Sequence, residues 1–185
     1  VPARRPVLVK AGRLESYLLS RQPVKPFERS IGHGRSQGAR PPMARMANLV
    51  VESSQRVPMA ELKRRLMAEA RSQGKPFGLV IRDIAGGNTN TASYGYQAFK
   101  GTPRLVYRVD AATGREELVR GVELVGTPLA SVNKVLATSD EVRVFNGYCG
   151  AESGYIPVAT VAPAALVAEI EMQRVARSRE RSPIL

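Results

Sequence analysis

The chain has 185 residues, of which 43% are apolar and 24% charged, a balance that suits one globular domain with a real core. Its single cysteine excludes an internal disulfide framework and fits a reducing, cytoplasmic setting. No stretch approaches the ~18 consecutive apolar residues of a membrane span, and no basic segment followed by an apolar one opens the sequence, so neither an anchor nor a secretory signal is expected.

In chain order, "PVLVKAGRLESYLL" predicts a hairpin: Val7 and Val9 alternate with polar neighbours, Ala11-Gly12 turns, and Leu14 to Leu19 returns. Residues 20 to 44 hold prolines and glycines around His33 with no period of 2 or 3.6, and read as loop. Arg45 to Glu52 is a short strand. The clearest helix is about 58–73. Pro58 opens it, Met59, Leu62, Leu66 and Ala70 make its apolar stripe, and Gly74 is placed to end it in a left-handed cap.

The period then changes to 2. Phe77–Ile84, Ser93–Phe99, Arg104–Asp110 and Glu117–Gly126 are strand candidates, separated by the turn-rich "AGGNTNTA", "KGTP" and "AATGRE". A short second helix is expected at about 128–137, with Leu129, Val132, Val135 and Leu136 on one side. "EVRVF" is a further strand, and the alternation in "ALVAEIEMQRV" favours strand over helix. The tail from Ala176 is polar and expected to be disordered. The succession describes an α+β, β-rich fold, with an antiparallel sheet or barrel-like meander and two helices.

The formal net charge is +12. Its arginines are scattered, Arg4, Arg5, Arg21, Arg29, Arg35, Arg40, Arg45 and Arg56 among them, and concentrate only at Lys63-Arg64-Arg65 and in the tail. No basic run is interleaved with aromatics, and no zinc-finger or helix-turn-helix spacing is present. This reads as a solvated basic surface and not as a specific nucleic-acid site.

Chemistry-bearing residues are few. "AGGNTNTA" lacks both GxGxxG and GxxxxGK[ST] and reads as a tight strand-to-strand loop, though its glycine pair could admit another backbone closely. His33 is the one histidine and Cys149, in "FNGYCGAESGYIPVA", the one cysteine. A Cys–His dyad would need the two to meet in space beside a third, orienting group. A zinc site within the chain lacks HExxH, CxxC and a second histidine. Alone, Cys149 reads as a buried structural thiol, and the nucleophile and metal-ligand readings stay open beside it.

The motifs taken together resemble the C-terminal half of the TldD/PmbA family of peptide-maturation proteins. The resemblance runs through the "RRPVLVKAGRLESYLLSR" hairpin, "GHGR", "PPMARMANLVVE", "FGLVIRDIAGGNTNTASYGYQAF", "LVRGVELVG" and the terminal "NGYCGAESGYIPVA". It implies that residues 1–175 form the C-terminal domain of a TldD/PmbA-like zinc metallopeptidase acting on unfolded peptides, with 176–185 as a tail. Val1 standing where a methionine would begin a protein fits a fragment of a longer chain. In the TldD branch an upstream HExxxH helix supplies two zinc-binding histidines and the glutamate base, and a C-terminal cysteine completes the ligands. Cys149 falls at that cysteine's place. The HExxxH pattern is absent from these 185 residues, so the resemblance implies one zinc ligand here and no catalytic base. It further implies a dimer, either with itself or with a non-catalytic PmbA/TldE-like subunit. Gly86, Gly87, Asn88, Gly147 and Tyr148 are the candidate walls of a peptide-binding cleft.

Overall fold

The computed structural model describes residues 1–22, 24–90 and 98–175. The first strands are short: β1 (Val9–Lys10), β2 (Arg13–Leu14), β3 (Gly34–Arg35), β4 (Met43–Ala44), β5 (Asn48–Val50) and β6 (Arg56–Val57). Helix α1 (Met59–Ser72) follows, then β7 (Phe77–Asn90), β8 (Ala98–Asp110), β9 (Glu116–Val119) and β10 (Val122–Gly126). Helix α2 (Pro128–Val132) leads into β11 (Val135–Ala151), β12 (Gly154–Val167) and β13 (Glu171–Arg174). The chain divides into two compact units, Val1–Glu52 with Val142–Ala162, and Ser53–Glu141 with Pro163–Leu185.

In the second unit α1 forms as its pattern dictates. Gly74, at φ +66°, ends it, with Lys75 N–H donating to Ala70 and Gly74 N–H to Arg71, a Schellman-type closure. Leu62 and Ala70 are buried on its apolar stripe, and Leu62 meets Ala137 and Leu166, with Val57, Met59, Leu66 and Ala164 packed around them. Leu66 lies over Gly78, where a β-carbon would come within 2.7 Å of its methyl. The sheet runs β13-β10-β8-β7, with β9 also on β8, and its pairings are antiparallel. Val106 and Val109 of β8 and Leu124 of β10 are among its buried residues. The basic triplet of α1 is paired: Lys63 with Glu116 at 2.7 Å, Arg64 and Arg65 with Glu61 at 2.6 and 2.9 Å.

In the first unit β1 and β2 make the expected hairpin, Val9 opposite Leu14, with Ala11 and Gly12 at φ +49° and +78°. Two positive φ values are what a two-residue turn needs to match strand twist. Strands β3 and β4 pair antiparallel, and β5 pairs parallel with the Ala159–Val161 stretch of β12. The long hairpin of β11 and β12 ends in this unit in a tight turn at Glu152-Ser153.

The architecture is α+β and β-rich, and among the described residues its sheets stay open, with no barrel. Several expectations are corrected. Residues 20–44 are not loop throughout, since β3 and β4 pair within them, and Glu117–Gly126 is not one strand but parts of β9 and β10. "AGGNTN" is not a loop: β7 continues through it to Asn90, paired to β8 as far as Ala98. "KGTP" is not a turn either, because β8 runs unbroken from Ala98 to Asp110. The second helix stops at Val132, and Val135 and Leu136 enter β11, with Leu129 and Val132 left 74% and 66% exposed. β-branched Val135 costs little in a strand, and Ala137, two residues on, enters the core with α1. The strand expected at Ser93–Phe99 lies partly, and the tail expected to be disordered lies wholly, outside the described residues. The strand reading of "ALVAEIEMQRV" is borne out at both ends, by β12 up to Val167 and by β13 from Glu171.

Candidate functional site

Cys149 sits near the end of β11, two residues before its last, half-buried and unbridged. Glycines flank the pair Tyr148-Cys149, and the structure shows what they make room for. A β-carbon on Gly147 would lie 2.9 Å from the Phe145 ring, and one on Gly150 would lie 2.9 Å from the Tyr155 ring. The two aromatic side chains therefore lie across bare backbone on either side of the cysteine. Tyr148 points away from the interior and is 74% exposed.

The turn beyond Cys149 is held from below, which is unusual for a hairpin tip. Ser153 is 1% exposed and Gly154 is also buried. Arg45, just past β4, is buried at 3% exposure and donates from Nη1 to Ser153 Oγ at 2.7 Å and to the Gly154 carbonyl at 2.8 Å. Its Nη2 donates to the carbonyl of Cys149 itself. Gln37 adds a second brace: its N–H donates to the Ser153 carbonyl at 2.9 Å, and its Oε1 accepts from Tyr155 N–H at 3.0 Å. Arg45 is thus not one of the solvated arginines that its scattered distribution predicts. Its signal was hidden, because an arginine among prolines and glycines reads as surface.

His33 lies in the same unit and is buried. Its Nε2 lies 2.9 Å from the Arg4 carbonyl, which assigns that nitrogen the proton, and Nδ1 is buried without a partner. Its backbone is tied in as well, to Leu19 and Arg45. The ring therefore meets a main-chain carbonyl and makes no hydrogen bond to the thiol. Among the described residues no three His, Cys, Asp or Glu side chains are grouped to hold a metal ion. A thiol is a good zinc donor, but it is one donor, and these residues do not complete a site.

Gly86, Gly87 and Asn88 belong to the second unit, whereas Gly147, Tyr148 and Cys149 belong to the first. Gly86 faces Thr102, Gly87 faces Gly101 and Asn88 faces Lys100 across the β7–β8 ladder. A β-carbon on Gly87 would come within 2.4 Å of the Lys100 carbonyl, so this glycine serves close strand approach and not a turn. Asn88 lines an open groove of about 550 Å³ with Thr89, Phe99, Lys100, Gly126 and Thr127. Lys100 is tied to Glu123 at 2.8 Å, and that hydrogen bond holds the Glu123 carboxyl below its ordinary range. No helix among the described residues is long and apolar enough to cross a membrane.

Two comparisons bear on this arrangement. The family described as PmbA/TldA metallopeptidase C-terminal domain matches residues 1–174. A metalloprotease of Archaeoglobus fulgidus is 30% identical over 166 residues, which cover 90% of this chain. The chain spans 36% of the length of that relative.

Proposed function

The chain belongs to the PmbA/TldD metallopeptidase family, matching its C-terminal domain, and from that premise we propose that it serves a zinc peptidase by presenting Cys149 as one metal ligand. The observation that carries the reading is the position of Cys149. It lies within the family's terminal motif, on a hairpin tip braced by Arg45 and Gln37. The other ligands and the base are assigned to an HExxxH helix outside these 185 residues. Zinc, when bound, would supply an activated water and polarise the scissile carbonyl. The part of this chain is to hold a thiolate where the metal needs it.

The substrate of this reading is an unfolded peptide, bound through its main chain as an added strand. Gly86, Gly87 and Asn88 in the second unit, and Gly147 and Tyr148 beside the cysteine in the first, are each candidates to contact it. The working form would be a cytoplasmic dimer, with itself or with a PmbA/TldE-like subunit. The test is zinc content and peptidase activity of the full-length protein with and without Cys149→Ala. Loss of both supports the assignment, and unchanged zinc and activity refute it. The 185-residue chain alone should bind zinc weakly and cleave nothing.

A second reading is a non-catalytic partner subunit, in which Cys149 binds no metal. The sequence preceding Val1 in the gene decides between the two: HExxxH there supports the peptidase, and its absence supports the partner.

A further inference from the structure

We propose that Arg45 is a positioning residue, whose buried guanidinium fixes the tip of the β11–β12 hairpin so that the Cys149 thiol is offered in one orientation. The inference rests on the reading of Cys149 as a ligand for its purpose, while its geometry stands on the fold alone.

A guanidinium is costly to bury, and among the described residues Arg45 forms no ion pair with a carboxylate that would offset the cost. What it has instead is a set of neutral acceptors arranged around one turn. Gly154 lies on the β12 side, Ser153 in the turn, and Cys149 on the β11 side. One planar group therefore staples both strands across Glu152-Ser153. The staple reaches the cysteine through its own carbonyl, and so fixes the peptide plane from which its Cα–Cβ bond departs. The stretch needs such a brace, because Gly147, Gly150 and Gly154 give it the backbone freedom of glycine. Lysine cannot replace the arginine here: an ammonium is a point donor and does not span acceptors lying in two directions.

A purely structural arginine would change global stability and leave the cysteine as it was. The experiment therefore reads the thiol. Cys149 is the only cysteine, so its alkylation by N-ethylmaleimide can be followed under native conditions across a pH profile. The variants are Arg45→Lys, Arg45→Met and Ser153→Ala, with circular dichroism confirming the fold. Removing a charge-assisted bond from the tip should make local opening about tenfold more frequent. Folded Arg45→Lys and Ser153→Ala should then alkylate about tenfold faster by that measure, in parallel at every pH. Ser153→Ala leaves the guanidinium and its other acceptors in place and keeps the test available if Arg45→Met does not fold. Unchanged rates in folded variants overturn the proposal, as does global unfolding of both Arg45→Lys and Ser153→Ala. Zinc content of Cys149→Ala reports separately on the ligand reading. Zinc loss there with unchanged thiol rates would remove the role of Arg45 and leave the ligand.

Discussion

Gly154→Ala tests how tightly the tip beside Cys149 is packed. Gly154 has φ +100°, a conformation disfavoured for any residue with a β-carbon, at a cost of about 1–2 kcal/mol. The added methyl would also lie 2.5 Å from both Cβ and Oε1 of Gln37. The Oε1 contact could swing away, but Cβ cannot, because Gln37 is anchored through its N–H to Ser153. Overpacking of that kind costs a further ~1–3 kcal/mol. The sum, about 2–5 kcal/mol, is a large share of the stability of an ordinary domain. Gly12→Ala is the control: its φ of +78° carries the same kind of backbone cost, yet a methyl there meets nothing within 4 Å. Urea denaturation of both variants, read as midpoint and slope, separates the backbone cost from the packing cost. If Gly154→Ala is destabilised no more than Gly12→Ala, the tip is not held against Gln37 and the brace described above is wrong.

Two further outcomes are expected in the second unit. Leu62→Ala removes a buried side chain from the contact of α1 with Ala137 and Leu166, and should cost about 2–5 kcal/mol in the same denaturation assay. Glu116 is held below its ordinary pKa, first by the hydrogen bond from Lys63 and then by the charges of Lys63 and Arg82. Its stabilising contribution is therefore complete above the ordinary glutamate value and is lost as pH falls through the depressed one. The pair is only partly buried and solvent screens it, so the effect is modest, about 0.5–1 kcal/mol. Midpoints measured from neutral pH into acid should fall less for Glu116→Gln than for the unmodified chain.

Helix α1 was legible because every local signal agreed: a proline at its start, an apolar stripe and a glycine where its last turn closes. The hairpin at Ala11-Gly12 was legible for the same reason. What local reading missed was set by pairing partners far along the chain. Gly86, Gly87 and Asn88 carry the composition of a turn, yet Gly87 is needed where the Lys100 carbonyl approaches too closely for a side chain. Pro103 reads as a strand breaker, yet it falls between the β8 residues that pair with β10 and those that pair with β9, and opposite an irregularity in β7, where a missing N–H is tolerated. Gly121, at φ +69°, likewise divides into β9 and β10 what alternation read as one strand. At the candidate site, Cys149 is singled out by its motif alone. The brace of Arg45 and Gln37 is not, because a polar residue's burial depends on acceptors more than a hundred positions away.

The proposed bond between Cys149 and zinc is open to zinc K-edge X-ray absorption on the zinc-loaded full-length protein. One sulfur scatterer at about 2.3 Å, absent from Cys149→Ala, is the expected result. A first shell of nitrogen and oxygen alone, unchanged by that substitution, would contradict it.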